Sequence, residues 1–530
     1  MASEKETLGS GEGHPEIDPV RRNAEFDVEA DGSSTREHAG HKEEDDIAGG
    51  DPLSLAQLAS VRTSDQNAVS FDGDDDAENP MNWTAKKKWL NIGTISVMTL
   101  LTPLGSSMFA PGVPDIMQEF GSTNENLATF ILSVYIAGFA FGPLLAAPMS
   151  ELYGRAVCYN VANVFFIIFT VAAALSKNMG MLIAFRFLMG FAGSTPITNG
   201  SGTISDMFPV EQRGKAMAIW ALGPLLGPAI GPVAGGFLVE GTNWRWVFWV
   251  IAIVAGAITI FGYFMVQETY PPVLLQRKVN RLRKETGNER LYSVLQDRTL
   301  TPKENFKIAI TRPLKLLFTA PPIFIFSLYI AVNYGVLYLL FSTFTFVYAQ
   351  QYGFSRSIVG LSYLPTGIGM FIGVMLFGTI SDLMVKKQQK KKADPTPEDR
   401  IPILLTVGPG LLVPASLFWY GWSVEENAHW MVPMVATGVF AFGLLGVMMC
   451  VQVYLVDAYI KYAASVIAAI TVLRSLVGAL LPLAGLTLYN ELGYGWGNST
   501  IAFISLVMVP VPVAFRFFGA RIRRKFPANL

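Results

Sequence analysis

Twelve apolar runs occupy most of this 530-residue chain: 89–110, 127–147, 157–175, 179–205, 216–239, 246–266, 318–346, 357–380, 401–423, 430–456, 463–488 and 499–515. A bilayer core about 30 Å thick takes roughly 20 helical residues to cross, so each run is a candidate membrane span. Only Arg186 and Arg474 place a charge inside those limits. Charged residues make up 15% of the chain, against about 25% in an ordinary soluble protein. The expected fold class is an all-α membrane protein of twelve transmembrane helices in two six-helix halves.

The charges are also segregated. Residues 1–80 hold 21 of the 41 acids and 6 of the 40 bases, which leaves 34 bases against 20 acids in the remainder. The first stretch is too polar to bury a core and reads as a disordered acidic tail. The overall balance of −1 is a cancellation, and it points to no nucleic-acid partner. Eleven Lys or Arg lie in the connection 267–317 and six in 381–400, whereas the alternate connections carry only Lys177, Arg245 and Arg356. By the positive-inside rule both termini and the long middle connection are expected to be cytoplasmic. The expected organisation is a tail 1–80, a six-helix half 81–266, a linker 267–317, a second half 318–519 and a basic tail 520–530.

An internal repeat supports two halves. Gly138, Gly142, Ser150, Glu151 and Arg155 recur at an offset of 231 as Gly369, Gly373, Ser381, Asp382 and Lys386. Six plus six spans is a secondary-transporter layout, with the substrate expected between the halves near the midplane.

Several chemistries lack their residues. Cys158 and Cys450 are the only cysteines, and three of four histidines lie in the tail, so neither a disulfide framework nor a metal cluster is expected. Gly214-Lys215 is followed by Ala216, which is no nucleotide-binding loop. No nucleophile, base or metal set suggests an enzyme. A small-molecule substrate, protons and the bilayer are the expected partners, and a proton gradient replaces any cofactor.

The fifth span carries Gly223, Gly227, Gly231 and Gly235, with Gly236 beside them and prolines at Pro224, Pro228 and Pro232. Glycines four apart share a helix face, which lets another helix approach closely, and the prolines remove donors. This helix is expected to seal the route between the halves. The segment Gly142, Ser150, Glu151, Gly154, Arg155 reads as a gating loop, its acid and base able to lock neighbouring helix ends in one state. Arg186 costs roughly 2.5–3.5 kcal/mol at mid-membrane and must face the interior. Arginine keeps its proton, so Arg186 and Arg474 can tune a proton carrier or hold an anion. Asp206 and Asp457, at span ends, are the candidate carriers. Tyr135, Asn199, Trp220, Asn333, Tyr334, Tyr338, Tyr363 and Gln452 are the candidate substrate-cavity residues.

These segments resemble the major facilitator superfamily. The glycine-proline span is similar to its antiporter motif, Gly142–Arg155 to its cytoplasmic signature, and Arg186–Gly193 to its fourth-helix arginine motif. Asn79–Trp83, Asp206–Lys215, Tyr454–Tyr459, Ala463–Ser465 and Arg474 resemble the fungal twelve-spanner drug:proton antiporter-1 family. The signature usually ends in two adjacent bases, whereas here Ala156 follows Arg155, which weakens the expected lock. The resemblance implies a monomeric, proton-driven exporter of drugs or secondary metabolites in the plasma membrane rather than the vacuolar membrane. An exporter of organic acids and a non-transporting nutrient sensor are the alternatives.

Overall fold

The computed structural model describes residues 67–526, apart from 74, 296–301, 390–395 and 460–461. Most of the expected acidic tail and the last four residues therefore lie outside the described residues. The first half contains α1 (Ala85–Ser107), α2 (Val113–Glu119), α3 (Glu125–Tyr153), α4 (Arg155–Ala174), α5 (Met179–Met207), α6 (Val210–Gly241) and α7 (Trp244–Met265). Two helices, α8 (Pro271–Thr286) and α9 (Pro302–Thr319), make up the linker. The second half contains α10 (Pro321–Tyr352), α11 (Arg356–Leu361), α12 (Leu364–Gln389), α13 (Ile403–Glu425), α14 (Met431–Ala458), α15 (Ala463–Leu480), α16 (Gly485–Met508) and α17 (Pro510–Lys525).

Among the described residues, eleven stretches pass as membrane spans by length and hydropathy, because 463–525 reads as one. Gly493 divides that stretch. Its φ of 72° and ψ of 174° are non-helical, so two helices meet there, and the stretch counts as two of twelve crossings among the described residues. The eleventh crossing is α15 with the first turns of α16, and the twelfth is the rest of α16 with α17. Asparagines start several helices by accepting backbone N–H groups: Asn124 for α3, Asn178 for α5 and Asn243 for α7.

The repeat in the sequence is a repeat in packing. A Cβ on Gly138 or Gly142 of α3 would strike the α5 backbone at Phe191 or the Ser194 hydroxyl. A Cβ on Gly369 of α12 would strike the α14 backbone at Gly438, and one on Gly373 would press against Phe442. Both halves thus use the same bare helix face to bring their second and fourth spans together.

The polar ends fold as well. Residues 67–82, assigned from sequence to the tail and the start of the first half, pack on the linker. Ala68–Val69 (β1) pairs in parallel with Tyr292–Ser293 (β2). Lys278 of α8, only 4% exposed, binds Asp72 at 2.8 Å and Asp76 at 3.3 Å. Burial raises the pKa of Asp76, but N–H groups from Asp72 and Glu78 and the Lys278 ammonium outweigh it and hold the carboxyl below its usual range. The end of the bundle carrying this linker is the linker end; the opposite end, with α2 and α11, is the far end.

Candidate functional site

Polar contacts concentrate in three groups, of which the third ties the first half to the second. The first lies at the linker end. Gly154 turns the chain between α3 and α4 at φ 100°, and a Cβ there would overlap Glu268 Oε2. Glu268, 7% exposed, accepts from the backbone N–H of Arg155 at 2.8 Å and of Ala156 at 3.3 Å. It therefore caps the N-terminus of α4, where a negative charge is stabilised. Its Oε1 also accepts from the N–H groups of Thr269 and Tyr270. The Arg155 side chain meets Asp206 Oδ2 at 3.4 Å and donates to the Ser150 hydroxyl at 2.5 Å. Thr269 donates to Asp206 at 3.3 Å, and Ser150 donates to Asn199 Oδ1 at 3.2 Å. The Arg155 guanidinium lies 4.7 Å from the Tyr270 ring, and burial raises the pKa of the Tyr270 hydroxyl. Glu151 lies in the field of both Arg155 and Arg312 of α9.

The second group runs through the interior. Arg186 is fully buried. It donates to the carbonyls of Gly105 at 2.6 Å, Ser106 at 2.8 Å, Ile131 at 3.2 Å and Leu132 at 3.5 Å. Its guanidinium lies over Phe109 and Tyr135 at 4.0 and 4.7 Å. It ties α1, α3 and α5 together, and none of these partners is a carboxylate. Across the seam, Arg474 lies over Tyr334 at 4.7 Å, and Tyr334 and Tyr338 have ring centroids 5.1 Å apart.

The third group closes the far end. Arg356 of α11 pairs with Asp115 of α2, its Nε 3.2 Å from Oδ2. Glu240 accepts from the Ser357 N–H at 2.7 Å. Thr345 donates to the Ala110 carbonyl at 3.1 Å, and Thr487 donates to Asn126 Oδ1 at 3.3 Å.

The glycine row of α6 points within its own half. A Cβ on Gly223, Gly227, Gly231 or Gly235 would lie 2.9, 2.8, 2.6 or 1.6 Å from Leu100, Pro103, Ser107 or Met108. The row therefore clamps α6 on the first span. The neighbouring face packs on the second half: Gly236 meets the Arg356 carbonyl, Gly360 the Pro232 carbonyl and Gly367 the Ala229 side chain. Pro224, Pro228 and Pro232 all lie within the unbroken helix α6.

The expected cavity residues divide. Asn199 belongs to the linker-end cluster. Trp220 donates to Thr99 at 3.1 Å and covers Gly200. Tyr135 donates to the Thr102 carbonyl, and Tyr363 to the Phe341 carbonyl. These four hold helices together. Asn333 donates to the Tyr329 carbonyl and leaves its buried Oδ1 without a partner. Gln452 is half-buried on α14, and Asp457 lies in the last turn of that helix. Asp382 and Lys386 fall near the end of α12, where the side chains lie outside the described residues. Glu268 was missed from sequence. Its signal was an acid directly after the sixth span, at an end where bases are the rule.

Comparison with known proteins adds the following. The description "Major Facilitator Superfamily" matches residues 95–482. The chain is similar to "Efflux pump radE" of Floropilus chiversii, 50% identical over 461 residues covering 87% of this chain and 85% of that one. It is also similar to "MFS-type transporter penM" of Penicillium rubens, 51% identical over 463 residues covering 87% and 90%. Among solved structures, a bacterial homolog of the human lysosomal transporter Spinster matches with TM-score 0.59 at 16% identity, covering 84% of this chain and 99% of that one. The xylose transporter XylE from E. coli matches with TM-score 0.60 at 14% identity, covering 82% and 98%.

Proposed function

Because the chain belongs to the major facilitator superfamily, a family of membrane transporters and not of enzymes, we propose that it is a proton-driven exporter of lipophilic secondary metabolites or xenobiotics. The printed name of one relative, an efflux pump, supports export. The observation that carries proton coupling is the linker-end cluster, where two buried carboxylates, Asp206 and Glu268, flank one arginine, Arg155. Glu268 is committed to backbone N–H groups, so Asp206 is the member free to take up a proton. Protonation cancels its pairing with Arg155 and releases the α3–α4 turn from the end of α5. Opening at the linker end then follows the proton, while the Asp115–Arg356 and Glu240–Ser357 contacts re-form at the far end.

The chain works as a monomer in the plasma membrane with both termini and the linker cytoplasmic, a reading supported by the eleven bases of 267–317. Purified protein in liposomes tests it. An imposed pH gradient should drive accumulation of a lipophilic dye, and a protonophore should abolish it. Uptake that survives the protonophore and needs ATP would overturn the proposal.

A further inference from the structure

We infer that Arg474, stacked on Tyr334 where the two halves meet, seats an anionic group, a carboxylate or an ionised acidic phenol, carried by an aromatic cargo. This rests on the export reading and names its substrate class.

Arg474 is the twelfth residue of α15 (Ala463–Leu480), about 16 Å from the start of that helix at 1.5 Å per residue, and so near the middle of the bilayer. One turn on, a Cβ at Gly478 would meet the Tyr334 ring at 3.1 Å and Ile136 at 3.3 Å. Tyr334 belongs to the second half and Ile136 to the first, so Arg474 lies beside the seam.

The contrast with Arg186 is decisive. Arg186 is fully buried and spends its donors on four backbone carbonyls. Arg474 is half-buried, and its Nε is enclosed with no acceptor. Among the described residues it makes no hydrogen bond or ion pair; its guanidinium lies 4.7 Å from the Tyr334 ring, and the Tyr338 hydroxyl lies in its field. A permanent cation held at this depth without a partner is costly, and arginine cannot shed its proton to escape the cost. Its partial exposure leaves part of the side chain uncovered by protein. A planar fork of donors matches a carboxylate, which it can bind through two parallel bonds.

The surroundings suit an aromatic body. Tyr334, Tyr338 and Phe341 form a ladder on α10 with ring separations of 5.1 and 5.8 Å. Asn333 Oδ1 and Ser475 Oγ, next in sequence to Tyr334 and Arg474, are also buried without partners. A polycation is repelled here, and a neutral lipophile leaves the guanidinium unpaired.

The test is calorimetric titration of the full chain in nanodiscs with 2-naphthoate and with neutral 2-naphthamide. Naphthoate should bind at least about tenfold more tightly, as one charge-assisted pair implies. Arg474→Gln should erase that preference and Arg474→Lys should keep part of it, with both variants eluting and melting as folded protein. Tyr334→Leu should weaken naphthoate binding as a second check. Equal binding of naphthoate and naphthamide by the wild type, or a preference retained by Arg474→Gln, would overturn the inference. Gradient-driven dye export without a naphthoate preference defeats only the anion seat. A naphthoate preference without gradient-driven export defeats only the export reading.

Discussion

At the scale of single residues, the two intramembrane arginines divide the work. Arg186 is a structural cross-brace of the first half, since its four acceptors are main-chain carbonyls of α1 and α3. Lysine supplies a compact point charge and cannot span that set or lie flat between Phe109 and Tyr135. Arg186→Lys is expected to cost about 2–3 kcal/mol, because buried carbonyls lose charged donors. Its melting temperature should fall, and its efflux of neutral and acidic cargo should drop in the same proportion. Selective loss of acidic cargo would show that Arg186 contacts the substrate. The sequence revealed that Arg186 must face inward, since a charge at that depth has few options. It could not reveal the partners, because backbone carbonyls carry no residue identity. Glu268 was hidden for the converse reason: a lone acid at a span end looks like surface polarity until the fold brings the α4 N-terminus to it.

At the scale of elements, α6 is the clearest case of a helix specified by its bare face. Spacing of four announced a close contact, but the same spacing would fit any partner helix. Only the fold shows that the row lies on the first span and that the face beside it meets the second half. Gly231→Val is expected to leave membrane insertion intact, since valine suits a spanning helix. The added side chain meets Ser107 and Met108, and overpacking of this kind costs about 1–3 kcal/mol. Normal surface level with lost efflux is the expected outcome, read by surface labelling and dye export. The strap 67–82 makes a second case. Acidic composition suggested disorder, yet Lys278 gathers Asp72 and Asp76 beneath it. Lys278→Ala should raise hydrogen exchange across 67–82 while leaving the spans protected. The pKa of Asp76 is depressed in the folded protein, so its contribution is present above the unfolded value of 3.8 and is lost as pH falls through the lower folded value. Protection of the strap should hold from pH 5 to 8 and fail only in strong acid.

At the scale of the whole molecule, the chain is two repeats of one packing plan joined by a helical linker. That much was legible, because span length, the offset of 231 and the distribution of bases are sequence properties. The divide at Gly493 was less so: the eleventh and twelfth runs leave 489–498 between them, and only the positive φ at that glycine shows where the chain turns. The far-end closure was not legible at all, since Asp115 and Arg356 are 241 positions apart. Half-exposed ion pairs of this kind contribute about 0.2–1 kcal/mol, weak enough to break and re-form in each cycle. The central claim is that export requires the halves to part at this end. Asn126 and Thr487 face each other there, side chain to side chain at 3.3 Å, one from each half. Cysteines at both positions, with Cys158 and Cys450 replaced by alanine, allow a disulfide to tie the halves. In liposomes under a pH gradient, the oxidised protein should lose dye transport and regain it on reduction, while either single cysteine variant transports throughout. Undiminished transport by the fully cross-linked protein would contradict the account.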